Sequence, residues 1–155
     1  MCEIPVAIAD DEKIVRAIVY PFHVDRKKKK LKAAAFKSKP GTDEVSVVRA
    51  TFKGADFCKA KGREIAASST KGEYVGLAVL LVCQVHDAGS DVHDSRNVYC
   101  GHAHISHGII APPPNEPLPP DQQLALDKRL EMLCDGAAFH ADPNPAEDGW
   151  AEPPF

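Results

Sequence analysis

The chain has 155 residues, of which 44% are hydrophobic and 26% are charged, and its formal net charge is −3. This apolar content is too high for a disordered protein, and no stretch reaches the roughly 18 apolar residues that a membrane span requires. No basic segment precedes an apolar run near Met1, so no signal peptide is predicted. We therefore expect a globular protein in the cytoplasm, without membrane attachment.

Charge is divided unevenly along the chain. Residues 1–71 have a formal charge of +7, whereas residues 72–155 have a formal charge of −10. Such a division favours contact between the two halves, because opposite charges attract one another within a small fold. The alternative interpretation is a basic nucleic-acid surface joined to an acidic tail.

The cysteine pattern predicts neither a disulfide framework nor a zinc ribbon. The number of cysteines is odd, their spacing is wide and no C-x-x-C pair occurs; they are Cys2, Cys58, Cys83, Cys100 and Cys134. Cys83 and Cys134 are expected to be buried as small hydrophobic side chains. A reducing compartment follows from this pattern.

The first third of the chain predicts strands joined by turns. Apolar and polar residues alternate over 13–23, with Pro21 expected near the strand end because proline cannot donate a ladder hydrogen bond. The basic run that follows predicts a solvated hairpin tip before a segment at 31–37. A turn at 39–43 then leads into a strand at 44–52, which is rich in β-branched residues.

The middle of the chain predicts one helix and two more strands. A helical period over 55–67 groups four residues on one face, namely Phe57, Cys58, Lys61 and Ile65. The run 74–85 is the most apolar in the chain and predicts a central strand buried on both faces. Residues 87–97 are expected to form a polar loop before a strand at 98–110.

The last third begins with a proline-rich connector at 111–120, which predicts extended chain. Asp121 is expected to cap a helix over about 121–134, with Leu126, Leu130 and Leu133 on one face and a stop at Gly136. We expect a single α+β domain over 1–136, built on a mixed or antiparallel sheet of four to six strands with two main helices. The acidic, proline-rich tail over 137–155 is expected to be irregular and to lie on or near this domain.

Three histidines lie close together in the segment 100–107. If this segment is a strand, His102 and His104 project from the same face about 6.6 Å apart, which would allow both to bind one metal ion. A third ligand would have to come from elsewhere, and the candidates are His23, His86 and Asp87. The structural alternative places Ala103 in the core, with the histidines in solvent or bonded to neighbouring loops.

Metal-free acid–base chemistry is the other functional interpretation of this cluster. A histidine would transfer a proton near neutral pH, while Arg49 or Arg16 would hold a negatively charged substrate. Small metal-independent ribonucleases and phosphodiesterases need such a set. No phosphate-binding glycine loop and no G-x-S-x-G nucleophile motif is present.

A basic run is the second candidate binding feature. Six of the seven residues over 26–32 are basic, and they include Arg26, Lys27, Lys28, Lys29 and Lys30. Such a run could contact nucleic-acid phosphates, but no aromatic residue is interleaved for base stacking. A solvated turn is therefore the favoured interpretation.

Six short motifs occur in order along the chain: YPFH (20–23), LKAAAF (31–36), EVSVVR (44–49), GLAVL (76–80), GHAHISHG (101–108) and DPNP…GW (142–150). Together they resemble a family of small bacterial proteins of unknown function that includes products of integron gene cassettes. The family occurs among mobile or defence-associated genes. The resemblance implies a compact α+β domain with an accessory role, and it assigns no catalytic residues.

We expect a non-enzymatic binding or adaptor protein, associated with a mobile-element, stress or defence system. A protein partner is favoured, nucleic-acid binding through 26–32 is the second expectation, and no cofactor is predicted. The alternative is a small hydrolase or nuclease, either metal-dependent or metal-free. It would use His102 and His104 with help from His23 and Arg49.

Overall fold

A computed structural model describes residues 1–155. It has one antiparallel six-stranded sheet with the order β4-β5-β2-β1-β3-β6. The strands are β1 (Lys13–Tyr20), β2 (Glu44–Arg49), β3 (Glu73–Leu81), β4 (Asp91–Asp94), β5 (His102–Ser106) and β6 (Ala138–Ala141). The helices are α1 (Ala55–Ala67), α2 (Val82–Asp87) and α3 (Pro120–Gly136), with a 3₁₀ turn at Ala33–Phe36. The α+β class predicted from the sequence is confirmed.

The larger hydrophobic core lies between one face of the sheet and the helices α2 and α3. Leu126, Leu130 and Leu133 are buried there in one cluster with apolar residues of β1, β2, β3 and β5, which confirms the helical face predicted for this segment. Phe36 of the 3₁₀ turn is fully buried in the same core. None of the helices is both long enough and apolar enough to cross a membrane.

Helix α1 covers part of the opposite face, and its bounds agree with the prediction. Its buried side differs from the predicted one: Cys58 faces the sheet, whereas Ile65 is exposed. The helix approaches β1 and β3 closely at Gly62, where a Cβ atom would lie 2.9 Å from the Ala17 Cβ and 2.9 Å from the Tyr74 ring. Only glycine fits this contact without displacement of a neighbour.

Several predicted boundaries are wrong. The chain leaves β3 after Leu81 and forms α2, so the last part of 74–85 is helical. The expected loop at 87–97 contains edge strand β4, and the expected irregular tail begins with edge strand β6. Residues 33–36 form the 3₁₀ turn, and the strand predicted over 98–110 is limited to β5.

A buried arginine fixes the segment before β1. The Arg49 guanidinium is fully buried and lies 2.7 Å from Glu12 Oε1 and 2.7 Å from Asp94 Oδ2. It also donates hydrogen bonds to the carbonyls of Pro5 and Ala7. Charges taken out of water need this degree of pairing, so Arg49 holds residues 5–12 against the sheet.

A disulfide joins Cys2 to Cys100 in the loop before β5, with a Cα–Cα distance of 5.4 Å. The expectation that the cysteines would not pair is therefore wrong for these two. Cys58, Cys83 and Cys134 are free, but only Cys58 is buried, so the predicted burial of Cys83 and Cys134 is only partial.

A second buried cation fixes residues 142–150 against α1. Lys59 Nζ lies 2.9 Å from Asp142 Oδ2 and donates to the carbonyls of Asn144 and Gly149. The Asp142 carboxylate also accepts a hydrogen bond from the Tyr74 hydroxyl. We call residues 138–150 the C-terminal strap, because they pair with β3 through β6 and then contact α1 on the face of the sheet that α1 covers.

Candidate functional site

Helix α1 packs on one face of the sheet, and it covers only strands β1 and β3 of that face. Further along the sheet, Ser46 of β2, His104 of β5 and His93 of β4 lie opposite one another in neighbouring strands. No helix packs over this polar row. The open part of the face, α1 and the loop 95–99 together form a groove, which is the candidate site.

His102 and His104 project from the same face of β5, as the sequence predicted. His102 is only 7% exposed, and its Nδ1 lies 2.5 Å from the Ser95 hydroxyl oxygen. Burial lowers the pKa of His102, and the neighbouring His104 lowers it further. His102 is therefore neutral near pH 7, while its Nε2 makes no hydrogen bond within the chain.

His104 lies nearer the mouth of the groove. Its Nε2 is 3.4 Å from Glu44 Oε1 on the neighbouring strand. The His104 ring also contacts the His93 ring, with centroids 5.5 Å apart. Glu44 is the only acidic residue in this polar part of the groove.

Arg16 lies at the base of the groove, in a gap of the sheet. Strands β1 and β2 pair only at Ile14 and Val15, and the Arg16 side chain occupies the separation beyond them. Its Nε donates to the Ala35 carbonyl at 2.9 Å and its Nη1 to the Ser46 carbonyl at 3.1 Å. No carboxylate lies within salt-bridge distance, so the charge of Arg16 is not neutralised by the protein.

The surroundings of Arg16 are basic. Burial lowers the pKa of its guanidinium to about 10, which leaves it charged at neutral pH. Lys37 and Lys39 are exposed on the same wall, so three cations face the single carboxylate of Glu44. A concave site with this balance of charge attracts anions.

Beyond Arg16 the groove continues into a cavity of about 260 Å³ between α1 and the sheet. Eight of its thirteen lining residues are hydrophobic, and Tyr99 of the loop 95–99 forms part of its wall. Arg16, Ser46, Val98 and His102 line both the polar groove and this cavity. The two spaces are therefore adjacent parts of one site.

Arg49 and His23 do not join His102 and His104. Arg49 follows Val48, whose partner in β5 is His102, and strand alternation turns the Arg49 side chain toward the opposite face. There Glu12 and Asp94 neutralise its charge. The prediction that Arg49 holds a negatively charged substrate beside these histidines is therefore wrong.

His23 lies in the turn after β1, where its Nδ1 accepts a hydrogen bond from the Val19 amide. Burial and the nearby charge of Arg16 lower the pKa of His23 to about 4. The imidazole is therefore neutral at pH 7. Its hydrogen bond to the Val19 amide stabilises the turn, so its position follows from a structural role.

His107 projects into the larger core. It is 1% exposed, its Nδ1 lies 2.8 Å from the Ser90 hydroxyl and its Nε2 donates to the Phe36 carbonyl at 2.7 Å. Both ring nitrogens are thus satisfied by neighbouring loops, as the structural alternative expected for this cluster.

The basic run forms an exposed turn that is closed by a bridge between Val24 and Leu31. The Asp25 carboxylate accepts from the backbone amides of Lys29 and Lys30, which holds the turn. Lys28 lies 3.8 Å from Glu73. The other candidates in the run, Arg26, Lys27, Lys29 and Lys30, are exposed and do not line the groove.

Nowhere in the structure do three or more His, Cys, Asp or Glu side chains gather as a metal site would require. The expected third ligand His86 lies instead between two carboxylates, with Asp10 at 2.9 Å and Asp91 at 3.0 Å. A metal bound by His102 and His104 stays a prediction for which the chain supplies no third ligand.

Four residues of the groove and its cavity were not predicted from the sequence, namely Lys37, Lys39, Ser95 and Tyr99. Lys37 and Lys39 flank Ser38 just before a turn, and this local pattern of charge could have marked them. Ser95 and Tyr99 come from a loop whose path over the sheet carries no signal in the sequence.

Comparison with protein-family models, with curated proteins and with solved structures finds no match for this chain.

Proposed function

We propose that this protein is a non-enzymatic binding module whose groove holds a small anionic ligand beside Arg16. The observation that supports the proposal is the unneutralised guanidinium of Arg16 at the base of a concave site. Two carbonyls hold it in place, so it needs no reorganisation to receive a carboxylate or phosphate group. Lys37 and Lys39 would add electrostatic attraction at the mouth.

A small ligand suits this groove better than the protein partner that the sequence analysis favoured. The cationic part is recessed between β2, β5 and the loop 95–99, and it is not spread over a flat surface. We also propose an association with mobile-element, stress or defence genes, and only the resemblance to the integron-cassette family supports it.

The test is a titration of the ¹⁵N-labelled protein with inorganic phosphate at low salt, followed by NMR. We expect shifts at Arg16 and Ser46, with an affinity that falls as salt is added. Arg16→Gln should weaken binding at least tenfold, whereas Arg26→Gln, in the remote basic turn, should leave it unchanged. Because Arg16→Gln also removes contacts to the sheet, the exposed pair Lys37→Gln/Lys39→Gln provides a second variant. Equal affinity in all variants would contradict the proposal.

A second candidate function is a metal-free hydrolase or phosphodiesterase. It is favoured by one observation: the unbonded Nε2 of neutral His102 and the guanidinium of Arg16 line the same groove. Such a pair could remove a proton and hold a phosphate. Turnover of bis(p-nitrophenyl) phosphate that is lost in His102→Ala would support this function over the binding module, and absence of turnover in the native protein would exclude it for this substrate.

The cytoplasm is the location that we propose from the sequence, and the disulfide provides its test. Disulfides are rare in reducing compartments, so Cys2–Cys100 would have to be a redox-sensitive bond there. Alkylation of thiols in freshly lysed cells, followed by mass spectrometry, measures its state directly. A fully oxidised pair would favour an oxidising compartment.

A further inference from the structure

The apolar cavity beside Arg16 narrows the class of ligand. Its volume of about 260 Å³ exceeds the roughly 150 Å³ of an engineered protein cavity that holds benzene. It is also below the roughly 300–1,000 Å³ of sites for drug-sized ligands. The space therefore suits one aromatic ring or a short acyl chain, and it is too small for a helix or an extended peptide.

The wall of the cavity is apolar and held in place by aromatic contacts. Val15, Val48 and Cys58 form part of the lining, and all three are buried. The Tyr99 ring meets the His102 ring edge-on, with centroids 5.0 Å apart, and also contacts Phe57 at 5.8 Å. These contacts keep the loop 95–99 over the sheet, so the cavity exists before a ligand arrives.

Two exposed apolar side chains stand at the cavity. Ile65 of α1 is 46% exposed and Val98 of the loop 95–99 is 60% exposed, and both line the cavity. An apolar ligand group between them would remove part of this surface from water, which is favourable at roughly 25 cal/mol per Å². The acidic residue of the cavity, Glu64, lies 3.3 Å from Lys61, so these two residues bring one charge of each sign to the rim.

We infer that the ligand is an amphiphilic organic anion: an aromatic ring or short acyl chain that carries one carboxylate or phosphate group. The apolar part would occupy the cavity between α1 and the sheet, and the anionic group would lie beside Arg16. This inference rests on the proposed binding function, since it assigns the apolar half of the same site. Because Arg16 and Val98 line both halves, one small molecule can span them.

The experiment compares four probes by NMR titration of the native protein: inorganic phosphate, phenyl phosphate, phenylacetate and phenol. We expect phenyl phosphate or phenylacetate to bind at least ten times more tightly than either phosphate or phenol. Ile65→Ser, at a residue that lines the cavity and not the polar groove, should lower the affinity for the better anionic probe toward that for phosphate, while leaving phosphate binding unchanged. The matched control is Leu124→Ser, an exposed leucine on α3 across the sheet.

The possible failures are distinguishable. If phosphate and the aromatic anions bind with equal affinity, the amphiphile inference is overturned and the anion site stands. If phenol binds as tightly as the aromatic anions, the anionic group adds nothing at the cavity and the inference is overturned. If no anion binds, the proposed function itself is overturned. An effect of Leu124→Ser equal to that of the cavity variant would also overturn the inference.

Discussion

The buried pair of Lys59 and Asp142 allows a quantitative test of how the C-terminal strap is held. Both side chains are 1% exposed and their charged atoms are 2.9 Å apart. In Lys59→Met the Asp142 carboxylate stays buried without a cation, although Tyr74 and the Asn144 amide still donate to it. In Asp142→Asn the Lys59 ammonium loses its counter-charge and keeps only neutral oxygen acceptors, among them the carbonyls of Asn144 and Gly149.

Breaking a buried ion pair by removal of one partner costs about 3–5 kcal/mol. We expect each single variant to lose this amount of unfolding free energy, which is a large fraction of the roughly 5–15 kcal/mol of a typical domain. The double variant Lys59→Met/Asp142→Asn should lose about as much as one single variant, because neither charge is then left alone. The coupling energy of the cycle is thus expected to reach about 3 kcal/mol.

Urea denaturation, followed by circular dichroism and by fluorescence, provides the measurement. Trp150 is the only tryptophan in the chain, and its ring centroid lies 5.7 Å from Lys59 Nζ, so its emission reports on the strap directly. We expect a red-shifted native emission in Lys59→Met. The control is the pair Arg63 and Asp148, which contact each other at 2.6 Å in solvent and should matter little. Additive losses in the double variant of the buried pair would refute the reasoning.

Three further perturbations test the core, the titration of a buried histidine and the disulfide. Leu130, on α3, is 1% exposed, and Leu130→Ala should lower the free energy of unfolding by about 2–5 kcal/mol. The control Leu124→Ala, at an exposed position of the same helix, should change it by less than about 0.5 kcal/mol. Equal effects of the two variants would contradict the assigned core. Burial lowers the pKa of His23 to about 4 in the folded chain from its ordinary value of 6.5. The unfolded chain therefore binds more protons between these values, and stability falls as the pH is lowered through them. His23→Asn should therefore reduce the loss of stability between pH 7 and pH 4.5 by about 2–3 kcal/mol, and an undiminished loss in chemical denaturation would argue against this burial. Cys2→Ser removes the disulfide to Cys100, which spans 98 residues of sequence, and should destabilise the folded protein by about 2–5 kcal/mol. If the native protein is equally stable with and without dithiothreitol, the disulfide contributes nothing to stability.

The elements that were predicted well are long enough for the spacing of their apolar residues to show a helical period. Helix α1 has 13 residues and helix α3 has 17, so each extends over more than three turns. Strands β4 and β6 have four residues each, too few for an alternation to appear. The run 74–85 is apolar except for Gln84, and periodicity does not distinguish a buried strand from a buried helix in such a run.

The candidate site was predicted only in part, for physical reasons. His102 and His104 are two residues apart, so they lie on one face of any strand that contains them, whatever the arrangement of the other elements. Val47, Val48 and Arg49 are all buried, so alternation in β2 does not reveal on which face Arg49 lies. Charged residues are almost always exposed, and the buried partners of Arg49 come from distant segments of the chain. Local pattern therefore could not show that its charge is already neutralised.

The position of the C-terminal strap has a consequence for how the protein is made. Asn144, which accepts a hydrogen bond from Lys59, follows it by 85 residues. At a translation rate of roughly 5–20 residues per second, the ribosome needs roughly 4–17 s to produce the partners of Lys59. Once β3 has been made, it lacks its neighbour β6 until residues 138–141 are synthesised, and the nascent sheet has an unpaired edge during that part of the interval. The growing chain is thus open to edge-to-edge aggregation between the synthesis of β3 and that of β6, and a chaperone that protects this edge would act then.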